Sequence, residues 1–145
     1  MAVLEASRNL ENIGDIIDRN VMPLALKRIS KGITFSPEGL EEIILFHKKV
    51  IENFDTAISA FAGNDRGLAD QVLRNKEELG IVERDLVQAH LDRLRKGFRE
   101  SIETSHIHLD MIGNLARINS LITHIIYPIV DEKRGSGRED VGIEG

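Results

Sequence analysis

The sequence contains no cysteine and no tryptophan, a single tyrosine, and three prolines in 145 residues. Without cysteine there are no disulfides, no thiolate metal sites and no sulfur nucleophile, and the chain suits a reducing compartment. With so few aromatics, the core must be built from Ile, Leu, Val and Ala. No apolar run reaches the roughly 18–20 residues of a membrane helix, and the first residues, with Glu5 and Arg8, lack the apolar stretch of a signal peptide. The formal net charge is -5, so no broad basic field exists to hold phosphate backbones, and nucleic acid is not an expected partner. A phosphate-cradling glycine loop, a Ser-His-Asp arrangement and a nucleophile elbow are all missing. The chain reads as a protein that is not an enzyme.

What is present is helix. At 41% hydrophobic and 30% charged residues, the chain can bury one core and stay in solution. Apolar residues recur at three- and four-residue steps in four segments, about 2–28, 37–62, 66–96 and 100–130. Pro23 should kink or end the first near Val21, and Pro128 should end the last. Ser36 and Pro37 form a helix start, with Phe35 and Leu40 placed for a hydrophobic staple; Asp65 is a second cap and Ser101 a third. Gly63 is expected at the left-handed position after the second helix. That helix carries the most regular seam of the chain, Leu40, Ile44, His47, Ile51, Phe54, Ile58 and Phe61, broken only by a histidine read as hydrogen-bonded in the core. Gly80 is read as the mark of a close helix crossing. Ile102, Leu109, Ile112, Ala116, Ile122, Ile126 and Ile129 form the last core stripe. Residues 131–145 are charged and glycine-rich and are expected to be a disordered tail. The fold expected is all-α, an antiparallel four-helix bundle in one domain over residues 1–130. Because the sequence opens almost directly in helix, a piece of a longer protein is expected.

One stretch is said twice. Leu10 to Asn20 reads Leu-Glu-Asn-Ile-Gly-Asp-Ile-Ile-Asp-Arg-Asn, and Leu109 to Asn119 reads Leu-Asp-Met-Ile-Gly-Asn-Leu-Ala-Arg-Ile-Asn. Glu11 matches Asp110, Gly14 matches Gly113, and Asp15 matches Asn114. Glu11 and Asp15 share a helix face, as do His106, Asp110 and Asn114. Like charges at this spacing repel, and two such faces brought together in a bundle can hold a divalent metal, iron or zinc. Glu11, Asp15, His106, Asp110 and Asn114 are therefore candidate metal ligands. The competing reading is two ordinary solvated faces. Gly14 and Gly113 would let a backbone or ligand approach. Arg117 can pair with Asp110 or face an anion. Lys27, Arg28 and Lys31 read as a solvated cluster, and His90 and His124 as structural or exposed. Glu103 and His106 supply one Glu-x-x-His, so a di-metal oxidase or storage bundle is an alternative, though no second such pair follows. A structural dimerisation bundle is another.

At the two motifs the sequence resembles the PhoU family, whose helical repeats carry a Leu-Glu-Arg-Ile-Gly-Asp-like motif. It is most similar to the PhoU-like domain that follows the membrane part of bacterial Na/Pi cotransporters. Phe35 to Gly39 and the Arg-Ile-Asn of Arg117 to Asn119 extend the likeness over roughly residues 8 to 130. The resemblance implies a regulatory or coupling domain in phosphate uptake, part of or partner to a Na/Pi cotransporter or to phosphate-sensing proteins. It implies the cytoplasm, at the inner face of the plasma membrane, as the location. It also implies metal clusters at the Glu-x-x-x-Asp positions, here Glu11 and Asp15, then Asp110 and Asn114. Asn114 departs from the pattern, being neutral. Two helices of a full first repeat are lacking, so the first motif helix would pack alone or against a second copy in a homodimer.

Overall fold

The computed structural model describes the backbone of residues 1–136 and the side chains of residues 1–131, and every regular element among them is helical. A first rod is made of α1 (Ala2–Ile16), one π turn (Ile17–Val21) and α2 (Met22–Lys31). Then come α3 (Pro37–Gly63), α4 (Arg66–Arg95) and α5 (Arg99–Ser136). Short connections make an antiparallel four-helix bundle. Within it α3, α4 and α5 pack pairwise on one another, while the rod lies along α5 and its backbone approaches neither α3 nor α4.

Local chemistry sets the ends. The Ser36 hydroxyl accepts from the Gly39 N–H at 3.0 Å, and the Asp65 carboxylate accepts from the Leu68 N–H at 3.0 Å, which satisfies two otherwise unpaired first-turn donors. The left-handed residue after α3 is Asn64, at φ 47°, and not Gly63. Asparagine tolerates that conformation because its short polar side chain bonds locally. Ser101 caps nothing: α5 starts at Arg99, and Ser101 lies buried inside it with its hydroxyl unpartnered.

The break expected near Val21 is present, since the regular α-helix stops at Ile16 and resumes at Met22, but Pro128 does not end its helix. Ahead of Pro23 the chain widens into the π turn, where Met22 N–H bonds the Ile17 carbonyl five residues back. The widened turn relieves the clash between the ring and the carbonyl four residues earlier. α5 runs through Pro128 to Ser136. A mid-helix proline costs about 3 kcal/mol, and here Ile122, Ile125, Ile126 and Ile129, all buried, hold the segment to the core regardless. Residues 131–136, expected in a disordered tail, thus continue the helix; residues 137–145 lie outside those described.

The core joins Ile13 and Ile16 of α1 to Phe46, Val50 and Ala57 of α3, Val72 and Leu79 of α4, and the isoleucine stripe of α5. Of the regular seam of α3, only Phe54 packs against it, half-buried. Leu40, Ile44, Ile51 and Ile58 keep 42%, 58%, 45% and 36% of their surface exposed. His47 is exposed too, not a core histidine. α3 has two apolar faces, and the one with Gly39, Phe46, Val50, Asn53, Ala57 and Ala60 is buried. Ile102 likewise points outward. Gly80 marks no crossing, since a Cβ there would meet only the tip of Arg84 at 3.8 Å.

A line of amides fixes the bundle's register. Asn53 Nδ2 donates to Asn119 Oδ1 at 2.8 Å, Asn75 Nδ2 to Asn53 Oδ1 at 3.0 Å, and Gln71 Nε2 to Asn75 Oδ1 at 2.7 Å. α5, α3 and α4 are thereby tied at one level. A slip of α3 or α5 would leave the buried amides of Asn53 and Asn119 unpaired, at about 1–3 kcal/mol each.

Candidate functional site

The repeated motif comes together, but not as a ring of ligands. Glu11 and Asp15 are exposed on α1, and Asp15 has only a loose neighbour in Arg19 at 4.0 Å. On α5, His106 Nε2 lies 3.2 Å from Asp110 Oδ2, both side chains being exposed. Asn114 is buried and fully used: its Nδ2 donates to the Asp110 carbonyl at 2.8 Å, and its Oδ1 accepts from Asn20 Nδ2 at 3.0 Å. The oxygen that a cation would need is therefore engaged. Among the described residues no three His, Asp or Glu side chains converge as a metal-holding group.

Beside the motif lies an open polar cleft of about 330 Å³, lined by Asn12, Asp15, Arg19, Asn20 and Arg117. Arg117 thus faces the cleft. The motif glycines do not serve contacts within this chain. A Cβ built on Gly14 or Gly113 would meet nothing within 4 Å.

Against the other side of the rod runs an apolar groove of about 280 Å³. Its walls are Ile13 and Ile17 of the rod and His47, Ile51 and Phe54 of α3, with Leu115 and Ile118 of α5 among the floor residues. The groove merges into the exposed seam of α3.

A second constellation, not foreseen from the sequence, closes one end of the bundle. Arg93 of α4 donates from both terminal nitrogens to the two carboxylate oxygens of Glu42 on α3, each at 2.7 Å. This planar two-point pairing holds the guanidinium charge, and the Glu42 hydrogen bonds raise the Arg93 pKa further. His108 and His90, each 1% exposed, stack with ring centroids 4.5 Å apart. His108 Nε2 sits 3.2 Å from the Gly39 carbonyl and 3.4 Å from Glu42 Oε2; His90 Nε2 sits 2.9 Å from Ser105 Oγ. Burial, the neighbouring ring and Arg93 lower the His108 pKa to about 4. Burial first and Arg93 second lower that of His90. Both rings are neutral at pH 7, and His108 then donates from Nε2 to the Gly39 carbonyl, leaving Nδ1 buried without a partner. Phe35 meets the His108 ring edge-on at 5.9 Å, and Arg28 covers Phe35 at 5.3 Å. Phe35 is therefore part of this cluster, and Arg28 is half-buried there instead of solvated. Among the described glycines Gly39 is the most tightly enclosed: a Cβ would lie 3.0 Å from Ser36 Oγ and 3.3 Å from the His108 ring.

This cluster binds helices to one another. Its carboxylate is paired at both oxygens and its imidazoles are sealed from solvent. The signal for it was present in α5, where Ser101, Thr104 and His108 stand at three- and four-residue steps in phase with Ile112 and Leu115. Polar residues at core phase announce a buried network.

The fold and these loci define a helical-bundle module: three mutually packed helices preceded by a rod that carries a copy of the motif on the last helix. The chain belongs to the PhoU family, since the PhoU domain matches residues 43–128. It is 35% identical over 138 residues to the "Putative inorganic phosphate export protein YjbB" of Salmonella typhimurium, a match covering 92% of this chain and 25% of that protein. It is 32% identical over 139 residues to the protein of the same name from Escherichia coli strain K12, covering 95% of this chain and 26% of the relative. The chain thus spans about a quarter of the length of these relatives. No solved structure matches it. Among the described residues no helix is long and apolar enough to cross a membrane.

Proposed function

We propose that this chain is a regulatory or coupling domain of phosphate transport that acts by contact and not by catalysis. The observation that carries this is its alignment, over nearly its whole length, with relatives whose names speak of inorganic phosphate export. Its partner on this reading is a membrane-embedded transport domain, in the same polypeptide or a separate one, met at the cytoplasmic face of the membrane. Export is the direction in the relatives' names, whereas the motif resemblance pointed to uptake through a Na/Pi cotransporter; movement of phosphate is common to both. The surface supports a contact role. Two glycines of the repeated motif open onto free space, and α3 displays an apolar stripe outward. The domain acts as a homodimer, and no metal enters this reading because the donors at Glu11, Asp15, His106 and Asp110 are dispersed.

The test is radiolabelled phosphate flux in cells carrying the native gene with residues 1–136 intact or deleted, at equal expression of the remaining protein. Altered efflux from preloaded cells is expected, or altered uptake if the transport runs inward. Unchanged flux in both directions would remove the reading.

A further inference from the structure

The seam of α3 is the most regular apolar pattern in the chain, and Leu40, Ile44, Ile51 and Ile58 of it stay exposed while Phe54 leans on the core. From Leu40 to Phe61 it spans about 33 Å at ~1.5 Å per residue. Its alternating four- and three-residue steps are those by which one helix packs nearly parallel or antiparallel to another at a shallow angle. On one flank the seam is bounded by the apolar groove and the rod's Ile13 and Ile17. On the other it is bounded by charges at seven-residue intervals, Glu41, Lys48 and Asp55.

These charges select the occupant. We infer that the seam of α3 pairs antiparallel with the same seam of a second copy of this chain, about a dyad between Glu52 and Asn53. In that register Ile51 stacks on the second copy's Phe54, Ile44 on its Phe61 and Ile58 on its His47. Lys48 then lies opposite the second copy's Asp55, and Asp55 opposite its Lys48. Both flanking pairs are of opposite sign by symmetry. The neighbouring register, one heptad away, stacks Ile44 on Phe54 and Ile51 on His47. It sets Lys48 against Lys48 and Glu41 against Asp55, so like charges reject it. A parallel pair would bring the flanking charges against Ile43, Val50 and Ala57, which carry none. In the single chain Lys48 makes only a long contact with Glu52, 4.0 Å, with both side chains largely exposed, so it is free to turn outward. A self-complementary patch of this kind is what a two-fold interface requires.

This names the surface of the homodimer invoked above and rests on that part of the reading; it is independent of the phosphate assignment. The test is sedimentation equilibrium on the chain and three variants. The wild type is expected to dimerise. Lys48→Asp and Asp55→Lys should each weaken the dimer about ten-fold or more, and the double reversal, Lys48→Asp with Asp55→Lys, should restore it, with helical circular dichroism unchanged throughout because both side chains are exposed. The absence of native cysteine allows an independent check of orientation. Mixed Lys48→Cys and Asp55→Cys chains should form a disulfide-linked heterodimer readily, and neither alone should do so. A dimer indifferent to the single reversals, or Lys48→Cys linking to itself, overturns this interface while leaving dimerisation standing. A chain that stays monomeric to millimolar concentration overturns both, and neither outcome touches the flux experiment.

Discussion

Asn20 Nδ2 donates to Asn114 Oδ1 at 3.0 Å, and that bond joins the two copies of one sequence motif. Asn20 ends the first copy, and Asn114 stands in the second where the first has Asp15. The replacement of aspartate by asparagine therefore has a structural use: the amide accepts from Asn20 and also donates to the Asp110 carbonyl, which an ionised carboxylate could not do. Asn114→Asp, which restores the acidic pattern, should destabilise the chain by about 1–2 kcal/mol, since a donor is lost and a charge faces a carbonyl in a buried place. Urea denaturation measures this, and elemental analysis of the same protein should find no stoichiometric metal. A variant as stable as wild type that retains iron or zinc would favour the metal-centred expectation instead.

Gly14 and Gly113 sit mid-helix with free space above them. Replacing either by Ala should stabilise the fold by about 0.5–1 kcal/mol, because alanine is the better helix former and nothing is there to clash. If the glycines serve a transport partner, the same substitutions should reduce the effect of the chain on phosphate flux. Thermal melting gives the first half of this prediction. A loss of stability on either substitution would show a hidden close contact.

The Glu42–Arg93 pair is asymmetric in what its loss costs. Glu42→Ala leaves a buried guanidinium uncompensated and should cost about 3–5 kcal/mol. The double variant Glu42→Leu, Arg93→Met removes both charges and should be far milder, near neutral if the space repacks. Comparing the two by denaturant titration separates the worth of the pair from the penalty of breaking it. Equal losses would contradict this account.

Acid should act through the stacked histidines. The folded-state pKa of His108, about 4, lies below the ordinary value near 6.5. The unfolded chain therefore takes up that proton first as pH falls. The contribution to stability is whole above pH 6.5 and is lost on descending from 6.5 to 4, on the order of 3 kcal/mol in all. His90 shifts in the same direction. Midpoints of urea unfolding from pH 7 to 4 follow this slope, and His108→Leu should flatten much of it. A variant that keeps the full wild-type slope would place the acid sensitivity elsewhere.

The sequence was legible wherever one local cause dominated. Ser36, Asp65 and the isoleucines of α5 declare helix ends and a buried stripe by themselves. It misled where two elements compete. α3 is apolar on two faces, and periodicity favoured Ile44, Ile51 and Ile58 over the face of Phe46, Val50, Ala57 and Ala60 that enters the core. Pro23 reads as a kink or end near Val21, and the π turn lies there; Pro128 reads as a stop because a stop is the local outcome, and the core packing that carries α5 through it depends on the whole fold. The pairing of Glu42 with Arg93, 51 residues apart, leaves no mark in either neighbourhood. The motif, conversely, was easy to see and hard to interpret, since spacing shows which residues share a face and not whether two faces meet oxygen to oxygen.

The amide line across α3, α4 and α5 has one more implication. Asn119, Asn53, Asn75 and Gln71 carry no formal charge, so neither acid nor salt reaches them directly. The end holding Arg93, Glu42 and His108 answers to acid through its histidine. The molecule is therefore graded along its length, with an indifferent waist and an environment-sensitive tip. Mild acid should fray it from the tip, and hydrogen exchange would see α3 open at Gly39 while Asn53 is still closed.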